Sequence, residues 1–334
     1  MNLIDREIIA QMDKKGMLYA PFGEYMRLKH GFKVFKIPFN GNFTCPNYDG
    51  RLSKNGCTYC PDFARQFTYE SFRPYKDLTI REQIESQLKH YKSSESDKGI
   101  VYVAFGTNTY QSIDVLKKIY GEILENKEII GLSIGTRPDC LPDEVLNLLE
   151  GYVKNGYEIW LEIGQQSMHE HTLEKTNRKH GIAECIRVVR EAHKRGIYVL
   201  FFIMLGLPYE TRAETIETAR MLSALEIDAV KIYPTIVMKG TKLANEYLNG
   251  SYRPLSETEY INLTADFLEN LDRNILIQRL SKDCGLETKI APEWDSYRAR
   301  ITPKIEKELK RRNTKQGMKL KLTLAADELI PLHF

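Results

Sequence analysis

Hydrophobic and polar positions follow two alternating periods along most of this chain. Residues 34–39, 100–105, 129–135, 158–164, 198–205 and 229–233 are short, largely apolar runs rich in β-branched and aromatic side chains, and they predict strands. Between them, 77–92, 112–126, 142–153, 181–195 and 211–225 carry apolar residues at helical spacing, as Ile113, Leu116, Ile119 and Ile123 do. Pro142 suits a first helical turn, and Lys194-Arg195-Gly196 supplies a basic last turn closed by glycine. Strands apolar on both faces and separated by amphipathic helices predict a parallel sheet. Six such units in succession predict an α/β fold, a partial (β/α)6 TIM-type barrel; periodicity alone leaves a doubly wound open sheet as the alternative.

The flanks read differently. Residues 1–29 are polar and mixed and predict a cap of one or two short helices around Tyr19, Phe22 and Tyr25. The barrel is expected over 30–235. After Tyr233 the pattern changes to helices near 241–248 and 256–270 and a strand-like 275–280, so 236–334 is expected to be an α/β extension.

Composition narrows the class. Of 334 residues, 42% are apolar and 28% charged, which excludes a disordered or collagen-like chain. The net charge of +3 is an average. Residues 302–321 hold eight Lys and Arg against two Glu, so the remainder is slightly acidic. That stretch reads either as a solvated helix face or, with Asn313, Thr314 and Gln316 interleaved, as a phosphate-contact surface. The longest apolar run, 197–207, is about half a bilayer span, and the first residues lack a basic start followed by an apolar stretch. No membrane partner and a cytoplasmic location are therefore expected.

Six cysteines divide unevenly. Cys45, Cys57 and Cys60 share one Gly/Asn/Pro-rich loop after the first strand; Cys140, Cys185 and Cys284 are scattered and read as core. The loop spacing is C-x11-C-x2-C. A CxxC pair alone fits zinc, thiol redox chemistry or an iron–sulfur cluster. Structural zinc wants four ligands, and no fourth Cys or His lies at a sensible loop distance. Three thiolates from one loop suit a four-iron cluster that keeps one iron open for chemistry. The loop also follows the strand end where (β/α) barrels build active sites. A zinc-stapled loop stays open as the other reading.

Three cysteines with Tyr59 before the last, after the first strand of a six-unit barrel, resemble the radical S-adenosylmethionine (SAM) superfamily. The motifs Phe43-Thr-Cys-Pro-Asn-Tyr-Asp-Gly, Thr107-Asn-Thr-Tyr, Gly131-Leu-Ser-Ile-Gly-Thr-Arg-Pro-Asp-Cys-Leu-Pro, Trp160-Leu-Glu-Ile-Gly-Gln-Gln-Ser, Ile203-Met-Leu-Gly-Leu-Pro, Lys239-Gly-Thr-Lys-Leu and Ala291-Pro-Glu-Trp keep their order along the chain. They are similar to those of YhcC/YtqA-like radical SAM proteins, in the branch near the Elongator catalytic subunit.

The resemblance implies that Cys45, Cys57 and Cys60 hold a [4Fe–4S] cluster. Reductive cleavage of SAM would then give a 5′-deoxyadenosyl radical that abstracts hydrogen. It further implies SAM contacts from Tyr59, Thr107, Asn108, Thr136, Arg137, Glu162 and Gln166, with Gly206 in a loop that cradles the adenine. Arg178 is the candidate for the SAM carboxylate, because its guanidinium fork matches that group. Lys231 is a lysine in an apolar strand, and with Tyr233 it closes the sixth strand on the substrate side. Cys140 reads as a reactive thiol near the radical or as a small buried hydrophobe. The implied substrate is tRNA, at the C5 side chain of a wobble uridine, and the implied partner is a low-potential donor of flavodoxin or ferredoxin type. No acetyltransferase domain is expected. A radical enzyme for a small molecule or lipid, and a non-enzymatic metal protein, are the other readings.

Overall fold

The computed structural model describes residues 2–61, 78–104, 106–282 and 288–321; Phe105, Cys284 and the end of the chain lie outside them. The helices α1 (Arg6–Lys14) and α2 (Phe22–His30) come first. Then follow β1 (Val34–Asn40), α3 (Ile80–Tyr91), β2 (Lys98–Ala104), α4 (Ile113–Leu124), β3 (Ile129–Thr136), α5 (Asp143–Lys154) and β4 (Glu158–Gln166). After α6 (Glu170–Lys175) and α7 (Ile182–Lys194) come β5 (Tyr198–Leu205), α8 (Arg212–Ala224), β6 (Ala229–Pro234) and a short β7 (Val237–Met238). The chain continues with α9 (Lys242–Leu248), α10 (Glu257–Glu269), β8 (Leu276–Arg279), β9 (Lys289–Ala291) and α11 (Arg298–Arg311).

Seven parallel strands form one curled sheet in the order β1-β2-β3-β4-β5-β6-β8, a partial TIM-type barrel. The six expected strands are present, and the sheet extends by a seventh from beyond residue 235. Local signals fix the helix starts: Thr79 and Glu82, Thr211 and Glu214, and Ser256 and Glu259 each form a reciprocal capping box. The small β7–β9 pair is antiparallel and was not foreseen in the pattern.

Side chains alternate across the pleat. Ile37, Val101, Leu132, Leu161, Phe201, Val230 and Ile277 face outward into the main core under the helices. Ile100, Trp160, Leu200, Ala229 and Leu276 face inward at the lower end, where they pack against Ile8, Met12, Phe22, Tyr25 and Met26 of α1 and α2. These two helices plug the bottom of the barrel, with Phe22 edge-on to Trp160. The plug also spans the open side: Ile277 N donates to the Ala20 carbonyl at 2.7 Å, and Pro21 bridges Ile277.

The basic stretch has its own anchorage. On α11, Ile301, Ile305 and Leu309 are buried. Arg312 donates to Asp266 (2.8 Å), Glu308 (2.6 Å) and Asn262 (2.8 Å). Gln316 accepts from Ala20 N and donates to the carbonyls of Asp272 and Ile275. Lys304, Arg311, Lys315 and Lys319 pair with Glu257, Glu308, Asp13 and Glu269. Much of the positive charge is thus neutralised within the fold.

Candidate active site

The cysteine loop leaves the C-terminal end of β1 and folds over the sheet. Its first turn is closed by Tyr48 N and Asp49 N donating to the Cys45 carbonyl, and its CxxC turn by Cys60 N donating to the Cys57 carbonyl. The loop docks on the connection between α6 and α7. Thr58 N donates to the Thr176 carbonyl at 3.0 Å, Asn177 Nδ2 to the Gly56 carbonyl at 2.5 Å, and Asn47 Nδ2 to the Asn177 carbonyl at 2.6 Å. The turn after β2 lies tight against the start of the loop. Gly106 has φ +74°, and a Cβ there would sit 2.3 Å from the Phe43 carbonyl oxygen, so the approach admits only glycine.

Above the mouth of the sheet lies a cavity of about 520 Å³. All three loop cysteines line it, with Tyr59, Thr107, Thr136, Arg137, Glu162, Gln166, Arg178 and Tyr233. Four other sequence-predicted residues stand outside its lining. Asn108 is buried and ties the turn after β2 to Val103 and Gly135 through its amide. Gly206 is covered by Leu255 and accepts from Tyr252 Oη. Cys140 is buried, and burial with Asp139 nearby pushes its thiol up to about 12, as suits a small core side chain. Lys231 lies under the floor, its ammonium on Glu162.

Arg178 is fully engaged. Its Nη1 donates to Cys57 Sγ at 3.3 Å, its Nη2 to the Gly164 carbonyl, and its Nε to His180 at 3.1 Å. Asn47 Nδ2 reaches the same sulfur at 3.3 Å. Burial alone would raise the Cys57 thiol; Arg178, then Arg137 and Asn47, outweigh it and favour the thiolate. Cys60 receives no such hydrogen bond, and burial with the neighbouring cysteines outweighs the pull of Arg178 and Lys282 and drives it up to about 12. Burial and the two guanidiniums hold His180 neutral, with its pKa down at about 2.

Glu162 is the other surprise. The resemblance gives it a ribose contact; in the structure it lines the cavity while its carboxylate accepts from Lys36, Lys231 and Ser133. Burial opposes its charge, and the lysines overcome that, holding it at about 2. Asn47, Lys36, Tyr102 and Phe202 were not singled out by sequence. Lys36 is one step along the pleat from Ile37 in a run that reads as core, and only closure of the sheet shows which face turns inward.

The donor set fits an iron–sulfur cluster. The three cysteines are free thiols, and Arg137, Arg178 and Lys282 bring positive charge to the same cavity. Among the described residues, no three His, Cys, Asp or Glu groups converge tightly enough to chelate a single ion. The thiols border a volume instead, as bonding to separate irons requires. Among the described residues, no helix is long and apolar enough to cross a membrane.

A radical SAM superfamily model matches residues 51–222, and a radical SAM C-terminal domain model matches 227–311. The chain is 45% identical to the uncharacterized protein MJ0486 of Methanocaldococcus jannaschii, over 95% of this chain and 97% of that one. It is 33% identical to YtqA of Bacillus subtilis, over 90% and 92%. A tRNA uridine(34) acetyltransferase of Dehalococcoides mccartyi is 25% identical, over 68% of this chain and 56% of that one. Among solved structures, the archaeal Methanocaldococcus infernus Elp3 matches with a TM-score of 0.65 at 20% identity, covering 85% of this chain and 64% of that chain.

Proposed function

This chain belongs to the radical SAM superfamily, a superfamily of enzymes, and on that footing we propose that it acts on the C5 side chain of a tRNA wobble uridine. Cys45, Cys57 and Cys60 would hold a [4Fe–4S] cluster. When bound, the cluster supplies the electron that cleaves SAM and leaves a 5′-deoxyadenosyl radical for hydrogen abstraction. The observation that carries this reading is the convergence of three free cysteines and Arg178 on one cavity at the carboxyl ends of a parallel sheet.

The residues around the cavity have separate tasks. Arg178 and Asn47 hold the Cys57 sulfur in its anionic form and fix the loop. Thr109 Oγ1 is 2.6 Å from Thr136 Oγ1, which locks the turns after β2 and β3 together. Thr107, Thr136, Arg137 and Gln166 offer polar groups for the methionyl and ribose parts of SAM, and Tyr59 a ring face. Tyr102, Phe202, Met204 and Tyr233 form an apolar wall that keeps water from a reactive radical. Support for tRNA comes from the acetyltransferase relative, and a splayed anticodon base is the form in which RNA presents a reactive atom to a pocket. By this reading the hydrogen is taken from the carboxymethyl part of carboxymethylaminomethyluridine, and the initiating electron comes from a flavodoxin- or ferredoxin-type donor.

Anaerobically reconstituted protein should carry iron and sulfide and release 5′-deoxyadenosine from SAM and reductant. Bulk tRNA nucleosides from a deletion strain should show a changed wobble-uridine profile by mass spectrometry. Absence of 5′-deoxyadenosine would sink the radical chemistry, and an unchanged profile would remove tRNA as substrate.

A further inference from the structure

The charges under the cavity do not balance. Glu162 is fully buried, with both carboxylate oxygens in use. One oxygen accepts from Lys36, from Ser133 at 2.5 Å and from Gln278 at 3.5 Å; the other accepts from Lys231. Two ammonium groups therefore share one carboxylate. Lys231 Nζ stands 4.5 Å over the Tyr102 ring and 4.4 Å over Phe202, and Lys36 Nζ stands 4.6 Å over Tyr102. Ring faces soften the charge but do not cancel it. Burial first, with Arg279 on β8 as a lesser contributor, disfavours both ammoniums. Below, α1 and α2 seal the layer with apolar side chains.

A buried excess cation is costly unless a counter-charge meets it. Glu162, Tyr102 and Phe202 are shared between this layer and the cavity, so the cavity is the side from which an anion can arrive. Neither lysine lines the cavity itself; Lys36 is the less buried of the two, its side chain 24% exposed against 4% for Lys231.

We propose that Lys36, with Lys231 behind it, is the recognition site for a carboxylate on the substrate, which supplies the missing negative charge at the base of the cavity. The excess is one positive charge, which one carboxylate matches and a phosphate dianion exceeds. A backbone phosphate of RNA is also fixed to the outside of the strand and cannot follow a splayed base to the floor. Glu162 is then a positioning residue that holds the two ammoniums side by side. This inference rests on the reading that the cavity admits a substrate, and it specifies what that substrate must carry.

The test uses cluster-loaded protein with SAM and no reductant. Binding is compared for an anticodon stem-loop bearing carboxymethylaminomethyluridine and for the same stem-loop as its methyl ester. The acid should bind about tenfold or more tighter than the ester, as a charge-assisted hydrogen bond commands. Lys36→Met should bring the acid down to the level of the ester. Because this variant leaves one lysine for one carboxylate, it should fold with an undiminished Tm; Lys231→Met provides the second case. Equal binding of acid and ester, or discrimination that survives both variants, would overturn the site while leaving the tRNA reading intact. If neither stem-loop binds, the tRNA reading fails, and the site is decided without RNA. Iminodiacetate, and not its dimethyl ester, should protect Lys36 from an amine-labelling reagent; equal labelling with both overturns it.

Discussion

Arg178 donates an Nη1–H to the sulfur of Cys57 at 3.3 Å, while the sulfurs of Cys45 and Cys60 receive no hydrogen bond from the described residues. One of the three cysteines is thus singled out for a charge-assisted donor, with Asn47 as a second. Hydrogen bonds to ligand sulfur and nearby positive charge favour the more negative, reduced state of an iron–sulfur centre. Arg178→Met should therefore make the reduction potential more negative, with Arg178→Lys between it and the wild type. A redox titration followed by electron paramagnetic resonance checks this. Identical midpoints in all three would show that the guanidinium only props the loop.

Gly106 sets how closely the turn after β2 approaches the cysteine loop. A methyl group there must displace the Phe43 carbonyl, two residues before Cys45. Gly106→Ala should lose most of its iron on reconstitution, while strain and positive φ together cost about 1–3 kcal/mol of stability. Iron content against Tm separates the local effect from global unfolding; full iron loading would refute it.

Arg312 sits among Asp266, Glu269 and Glu308, the first two themselves buried. Removing the cation leaves carboxylates with reduced compensation, since among the described residues only Arg212 and Lys319 remain to serve Asp266 and Glu269. Arg312→Ala should cost about 2–4 kcal/mol by urea unfolding. Lys307 and Lys310 make no ion pair among the described residues. Lys307→Glu with Lys310→Glu should weaken tRNA binding and flatten its salt dependence, with Tm nearly unchanged. If the double variant binds tRNA as the wild type does, the RNA surface lies elsewhere.

Glu210, after β5, titrates in an unusual range: burial, helped by Glu214, pushes its carboxyl up to about 8 from an ordinary 4.5. Between those values the folded protein keeps a proton that the unfolded chain gives up. Its contribution is therefore lost progressively as pH rises through that window, and the loss is complete above about 8. Glu210→Gln removes the penalty and should be more stable than the wild type by about 1–3 kcal/mol at pH 8.5, with little difference near pH 4.5. Parallel pH–stability curves for the two proteins would contradict this.

The repeat of strands and helices was readable because buried parallel strands are apolar throughout and their helices carry caps and amphipathic faces. The cysteine loop was readable because its ligands are close in sequence. Lys36, Tyr102 and Phe202 were not, because a strand apolar on both faces does not reveal which side will turn inward when the sheet curls. The lysine partners of Glu162 were hidden because they lie on β1 and β6, far away in sequence. The basic stretch looked like a free charged surface for the same reason: Asp266 and Glu269, which neutralise Arg312, are more than forty residues upstream.

The amide of Gln316 bonds at once to Ala20 near one end of the chain and to Asp272 and Ile275 beside the seventh strand. During synthesis the helices that plug the barrel emerge before its strands, yet their seat on β8 and the amide that fastens it emerge after the other six strands of the sheet. Closure of the barrel floor is therefore a late event of very long sequence separation, which slows folding relative to the local strand–helix units. The cysteine loop and the strands behind it are assembled from earlier residues, so the order of synthesis brings the three thiols together over a floor that is still open.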